Sequence, residues 1–196
     1  MTERSASVER TTGETDVSVS LDLEGAGDCE VSTGVGFLDH MLETFGYHAR
    51  FDLQIDCEGD LHVDDHHTVE DISLALGRAL DRALGDRAGI ARFGEAHVPM
   101  DEALARAVVD LSGRPYAVAE LSLDRPSIGE LACENVPHVF RSVATEAGAA
   151  VHVDVLRGSN DHHRIEAAFK ASALAFRRAV RRTGGDEVPS TKGVIE

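Results

Sequence analysis

The stretch Asp65-His66-His67-Thr68-Val69-Glu70 has a second copy in this chain, Asp161-His162-His163-Arg164-Ile165-Glu166. Each copy opens with an acid, continues with paired histidines and runs into an amphipathic apolar pattern. A lone histidine precedes each at nearly the same remove: His40 lies 26 positions before His66, and His138 lies 24 before His162. Between lone histidine and pair sits an alternating, strand-like run, Phe51-Asp52-Leu53-Gln54-Ile55 in one case and Val151-His152-Val153-Asp154-Val155 in the other. The chain is thus an internal duplication whose repeated polar residues are metal-ligand types.

The spacing suits a metal. Residues three and four apart on a helix share a face, so His66 and His67 can each lie near Glu70, and His162 and His163 near Glu166. Neighbouring histidines point about 100° apart, so one ion rarely takes both. The members of each pair are expected to serve different ions, with His40 and His138 completing the sets. Imidazole mixed with carboxylate suits manganese, iron, zinc or nickel better than magnesium or calcium. The plainer alternative is a polar first helical turn with Asp65 and Asp161 as N-caps. Two copies with a matched upstream histidine weigh against it.

Composition narrows the class. At 196 residues the chain can bury a full core. The amino-terminal residues Met1-Thr2-Glu3-Arg4-Ser5 have no apolar segment, and no run approaches the ~20 apolar residues of a membrane span. A cytosolic protein with no membrane partner is expected. Cys29, Cys57 and Cys133 are odd in number and form no CxxC, so neither a disulfide framework nor a thiolate zinc site is indicated. A net charge of −16 argues against nucleic acid as a partner, since neutralising phosphates needs a basic face. Of the 19 basic residues only Lys170 and Lys192 are lysine. Such a surface suggests adaptation to high salt, and lysines kept in it are expected to have particular tasks.

Residues 5–30 read as two strands, with Val17, Val19, Leu21 and Leu23 alternating with polar residues. Gly25–Asp28 supplies a turn, Cys29–Thr33 starts the second of these strands, and a helix runs from Phe37 to about Gly46. A strand over 50–56 leads through the Gly59-Asp60 turn to a helix opened by Asp65. Its apolar residues Val69, Ile72, Leu76, Leu80 and Leu84 step by three and four. In the second half, 103–110 and 116–123 read as a strand pair joined through the turn Ser112-Gly113-Arg114-Pro115. A helix from Pro137-His138 to about Gly148 follows, then a strand over 150–156. Asp161 opens a last helix with Ile165, Phe169, Phe176 and Val180 on one face. The expected fold is α/β, an α+β sandwich of two β-β-α-β-α halves (about 5–90 and 91–183), each a sheet covered on one face by helices. The tail 184–196 has no periodicity and reads as loop or disorder.

These motifs occur together in one known family. Glu14-Thr15, Phe37-Leu38-Asp39-His40-Met41-Leu42, Asp65-His66-His67-Thr68-Val69-Glu70-Asp71, Pro99-Met100-Asp101, Ser112-Gly113-Arg114-Pro115, Asp161-His162-His163-x-x-Glu166 and Pro189-Ser190-Thr191-Lys192-Gly193 resemble imidazoleglycerol-phosphate dehydratase, of histidine biosynthesis. The resemblance runs from about residue 5 to the end, with no departure at the metal or phosphate positions and no added phosphatase domain. It implies one domain over 1–196 ending in a substrate loop, two manganese ions per active site, and a cubic assembly of 24 subunits sharing their ligands. The metal ligands it implies are His40, His66, His67, Glu70, His138, His162, His163 and Glu166, the residues the repeat selects. Among these, His66, Glu70, His162 and Glu166 count as catalytic through the ions they hold. The resemblance assigns acid–base work to Glu14 and phosphate contacts to Arg92, Arg114, Lys170, Ser190 and Lys192. His48 is a further candidate to approach the phosphorylated imidazole. His62, His97 and His152 are left as structural. The competing readings are a dinuclear metallohydrolase, for which HExxH and evident bridging aspartates are missing, and a metal-stabilised assembly without catalysis. A purely structural metal site needs no anion pocket, so the basic residues separate the readings.

Overall fold

The computed structural model describes residues 4–191, 193 and 195, so Lys192 lies outside the described residues. The first half comprises β1 (Ser5–Thr11), β2 (Thr15–Asp22), β3 (Cys29–Ser32), α1 (Gly36–Ala49), β4 (Asp52–Gly59) and α2 (His66–Leu84). The second comprises β5 (Phe93–Met100), β6 (Ala103–Asp110), β7 (Tyr116–Glu120), a small hairpin of β8 (Ser127–Ile128) and β9 (Leu131–Ala132), then α3 (Val136–Glu146), β10 (Ala150–Arg157) and α4 (Asp161–Ala179). That hairpin aside, both halves have the order β-β-β-α-β-α, one strand more than expected. The extra strands, β1 and β5, lie at sheet edges, where the sequence signal is weakest. In β1 the only fully buried residue is Val8, and β5 contains Gly94 and Pro99, which a central strand would not tolerate.

The sheets have the same topology, β1-β2-β4-β3 and β5-β6-β10-β7. Their first three strands pair antiparallel, while β3 runs parallel to β4 and β7 parallel to β10. The expected β6–β7 hairpin is therefore not formed, because β10 lies between the two strands. β6 instead turns back on β5 at Met100–Ala103, and β7 reaches its parallel partner through α3, the crossover that parallel strands require.

Alternation sets the core. Val17, Val19, Leu21, Leu53 and Ile55 face inward in the first sheet, and Ala105, Ala107, Val109, Val151 and Val153 in the second. The apolar faces anticipated for α2 and α4 are buried at every residue. α2 lies on β1 and β2 and against α3; α4 lies on β5 and β6 and against α1. Helices of one half thus pack on helices of the other, and the sheets lie outside. The helix layer is rich in buried alanine, including Ala75, Ala79, Ala167, Ala168, Ala171 and Ala175, which lets backbones approach closely. The cysteines form no disulfide, and burial pushes the Cys57 thiol up to about 12 and, with Glu43 adding to it, Cys29 to about 11. Among the described residues no helix is long and apolar enough to cross a membrane.

α4 crosses β5 most tightly at Gly94, where a Cβ would collide with the Ala175 carbonyl and sit 2.8 Å from the Ala179 nitrogen. Neither neighbour is a flexible side chain, so relief requires the helix to move. Gly94→Ala should destabilise by about 1–3 kcal/mol, as overpacking does, and lower the thermal midpoint by several degrees. An unchanged midpoint would mean that the helix–strand distance is not fixed here.

Candidate active site

Helix pairing gathers the histidines at one end of the molecule. Because α1 packs on α4, His40 meets His162 and Glu166: the two Nε2 atoms lie 3.8 and 3.1 Å from Glu166 Oε2. Because α3 packs on α2, His138 meets His66 and Glu70, with its Nε2 3.6 Å from Glu70 Oε1 and the two rings 5.0 Å apart. In each trio one ligand atom per residue can be chosen so that all lie within 4.8 Å of one another. Each lone histidine has joined the pair of the opposite half, so the duplicated motifs are crossed. Each trio offers two nitrogens and one carboxylate.

The second histidine of each pair points elsewhere. The rings of His66 and His67 are inclined at 83°, and those of His162 and His163 at 84°. His67 takes Asp60 at Nδ1 (3.0 Å) and has Glu14 3.8 Å from Nε2. His163 takes Glu102 at Nδ1 (2.8 Å) and has Asp101 3.7 Å from Nε2. The hydrogen bond to Asp60 raises the pKa of His67, and that to Glu102 raises the pKa of His163. In return His163, with backbone N–H groups of Ser159 and Asn160, holds Glu102 below the usual carboxylate range.

The two histidines of the His66–Glu70–His138 trio are aimed by their other nitrogens. His66 Nδ1 is 3.1 Å from Asn135 Oδ1, and His138 Nδ1 is 3.1 Å from Ser142 Oγ, leaving each Nε2 for the trio. Asn135 in turn donates to Asp65, which also accepts from the Ala132 N–H. Asp161 likewise accepts from the N–H groups of Asp124 and Arg125 and from Arg164. The two acids of the repeat therefore make no side-chain cap: Asp65 stands at the N-cap position of α2 without a capping bond, and Asp161 is the first residue of α4, whose N-cap is Asn160. Asp64 and Asn160 cap instead, accepting from the His66 and His162 N–H groups, while Asp65 and Asp161 tie the helix starts to the segment 124–135.

The remaining candidates divide between two ends of the chain. Lys170 Nζ lies 2.6 Å from Glu166 Oε1, one helical turn on, as their spacing implied. Burial works to raise the Glu166 carboxyl, but Lys170 and His162 hold it below the ordinary range. His48 is within reach of the same charges; burial first, then Lys170, lowers its pKa. Arg92 is far away: its N–H donates to the Ala179 carbonyl, and 17 residues of α4 from His162 span about 26 Å. Its guanidinium grips Asp110 through two nitrogens (2.7 and 3.1 Å) and donates to the Pro189 carbonyl, so it holds the tail that carries Ser190. Arg114 is exposed on the turn beside Gly148, past the C-terminal ends of α2 and α3. His62, His97 and His152 are exposed and belong to neither trio.

Sequence reasoning missed Asp60, Asp101, Glu102 and Asn135, which come from turns whose places depend on sheet register. Ser142 was findable, since it follows His138 by four on a helix.

Comparison with known proteins agrees with this geometry. The family model described as imidazoleglycerol-phosphate dehydratase matches residues 33–176, a span that contains both trios. The chain belongs to the imidazoleglycerol-phosphate dehydratase family. It is 61% identical over 193 residues to the imidazoleglycerol-phosphate dehydratase of Salinibacter ruber, covering 98% of this chain and 96% of that one. Against the Candida glabrata dehydratase identity is 53% over 208 residues, covering 97% and 99%. The crystal structure of the Staphylococcus aureus dehydratase superposes with a TM-score of 0.83 at 38% identity, over 91% of this chain and 99% of the other. That of Pyrococcus furiosus, in complex with (S)-C348, gives 0.83 at 36%, over 95% and 99%. Family membership brings the enzyme class with it: a hydro-lyase, which removes water by cleaving a carbon–oxygen bond. The metallohydrolase and purely structural readings are set aside.

In protein stripped of ions, His163 should titrate above the ordinary 6.5, because Glu102 favours its charged form. Glu102→Gln removes that charge and should bring the His163 titration down toward 6.5, leaving His67 unmoved. Histidine NMR on chelator-treated protein reads both, and a His163 titration indifferent to Glu102→Gln would refute the pairing.

Proposed function

We propose that this chain dehydrates imidazole glycerol phosphate to imidazole acetol phosphate in histidine biosynthesis, using two manganese ions per active site. The observation that carries the metal dependence is the pair of crossed trios, His40–His162–Glu166 and His66–Glu70–His138. Two imidazoles with a carboxylate fit manganese and its neighbours, and the Asn135 and Ser142 contacts leave Nε2 free to ligate. His67 and His163 face out of their own trios and suit completion of sites on neighbouring copies. This arrangement favours a homo-oligomer with shared sites, and the family resemblance suggests 24 subunits.

The chemistry gives each residue a task. The proton to be removed lies on a carbon with no carbonyl beside it. Electrons of the imidazole ring in its imidazolate form help to expel hydroxide from the ring-bearing carbon. The pair of the broken C–H bond then forms the carbon–carbon double bond of the enol while the ring recovers its own pair. Glu14, about half exposed and 3.8 Å from His67, is placed to move that proton. Hydroxide leaves from the adjoining carbon, and the resulting enol becomes the ketone. A metal held by the trios supplies Lewis acidity to the ring and to the departing oxygen. His48, which feels the charges of Lys170 and Glu166, is a further candidate to contact the substrate. Arg92, Arg114, Lys170, Ser190 and Lys192 hold the phosphate, guanidinium forks offering bidentate geometry. Arg92, Arg114 and Ser190 sit at the helix end opposite the trios, so of its described phosphate contacts one copy brings only Lys170 to its own ions. The site is therefore built between copies, with the segment 184–196 serving as a substrate loop.

Two experiments test this. Chelator-stripped protein should fail to dehydrate imidazole glycerol phosphate and regain turnover with added manganese; tight metal binding with no turnover under any condition would sink the reading. Separately, His162→Ala and Arg92→Ala proteins, each inactive alone, should regain part of the activity when unfolded and co-assembled, because intact trios then meet intact phosphate contacts. Failure to complement in verified mixed assemblies would place both sets in one copy.

A further inference from the structure

We propose that Asp71, which contacts no member of either trio, is the positioning residue for Glu14. This rests on the acid–base role given to Glu14 above. Asp71 is 4% exposed on α2, immediately after Glu70, and its carboxylate faces the β1–β2 turn. Oδ2 accepts from the Thr15 hydroxyl at 2.5 Å and the Thr12 hydroxyl at 3.3 Å, and Oδ1 accepts from Arg10 Nε at 2.8 Å. Thr12 Oγ1 in turn accepts the backbone N–H groups of Glu14 (3.1 Å) and Thr15 (3.0 Å).

Counting protons makes Asp71 the end of this network. A hydroxyl has one proton to give. Thr12, already accepting two N–H groups, must donate its own to Asp71 or to the Thr15 oxygen 3.3 Å away. The Thr15 proton goes to Asp71, so either route ends there. Only an acceptor on both oxygens satisfies Arg10 and the two threonines together. The Glu14 backbone is gripped from the other side as well, its carbonyl accepting from the Asp60 N–H, while the Asp60 carboxylate holds His67.

The consequence is a fixed register between base and ligands. Asp71 shares one rigid helix with His66, His67 and Glu70, so the turn that carries Glu14 is referenced to the helix that carries three of the ligand-type residues. The Glu14 side chain is itself exposed, and its reach is set by its backbone. A displacement of about 1 Å in a reacting group can cost roughly 100-fold in rate.

The test is a double-mutant cycle on the metal-loaded enzyme. Asp71→Asn puts a donor opposite either Arg10 or the threonines, and Thr12→Val, a milder change, removes the acceptor that holds the Glu14 N–H. Each should lower kcat about tenfold or more with KM and bound metal unchanged, and Thr12→Ser should stay within about twofold of wild type. In a Glu14→Gln background, itself slowed by about 100-fold or more, neither Asp71→Asn nor Thr12→Val should cost more than about twofold further. Full additive losses in that background, or lost metal in both variants, would overturn the positioning role. Glu14→Gln with wild-type turnover would instead overturn the acid–base reading beneath it.

Discussion

Two consecutive side chains on an α-helix diverge by about 100°, and the rest of the site follows from that. Neither His66-His67 nor His162-His163 can turn both rings toward one point, and the near-perpendicular rings display the constraint directly. The first histidine of each pair faces the neighbouring helix, where Glu70 or Glu166 joins it one turn on. The second faces the strand turns and is claimed by carboxylates, Asp60 for His67 and Glu102 for His163. A third ligand can then reach the inward histidine only from the helix packed beside it. His40 and His138 supply it because α1 packs on α4 and α3 on α2, through a layer of small residues.

Helix direction also sorts charge. The trio glutamates lie in the second turns of α2 and α4, towards the N-terminal ends, and Arg177 and Arg178 lie in the last turn of α4, where cationic groups are favoured. Arg92 and Arg114 lie at this second end too. A span of about 26 Å along α4 keeps the trios and these arginines apart within a single copy, and on the proposed function it is assembly that would bring them together.

Much of this was legible in the sequence for a physical reason: periodicity. The apolar faces of α2 and α4, the β2 alternation and the paired histidines with their glutamates rest on spacing along one element, and His40 and His138 on the offset that the duplication repeats. What was not legible depends on contacts between elements. Gly94 and Pro99 interrupt the strand pattern of β5, and the turn Ser112–Pro115 looks like a hairpin until β10 is seen between its arms. The crossing of His40 and His138 to opposite halves is decided by which helices pack together. The supports come from separate places that no repeat marks: Asn135 from the short 3-10 helix before α3, Glu102 from the β5–β6 turn, and Asp71 from α2, reaching over to β1 and the β1–β2 turn.

The central claim is that each ion is held by a crossed trio of one copy and completed by an outward histidine of another. Anomalous diffraction from manganese-loaded crystals, measured across the manganese edge, tests it most directly. The account predicts two manganese peaks, one against His40, His162 and Glu166 and one against His66, Glu70 and His138, each with His67 or His163 of a neighbouring copy beside it. A peak bridged by His66 and His67, or by His162 and His163, of the same copy would contradict it.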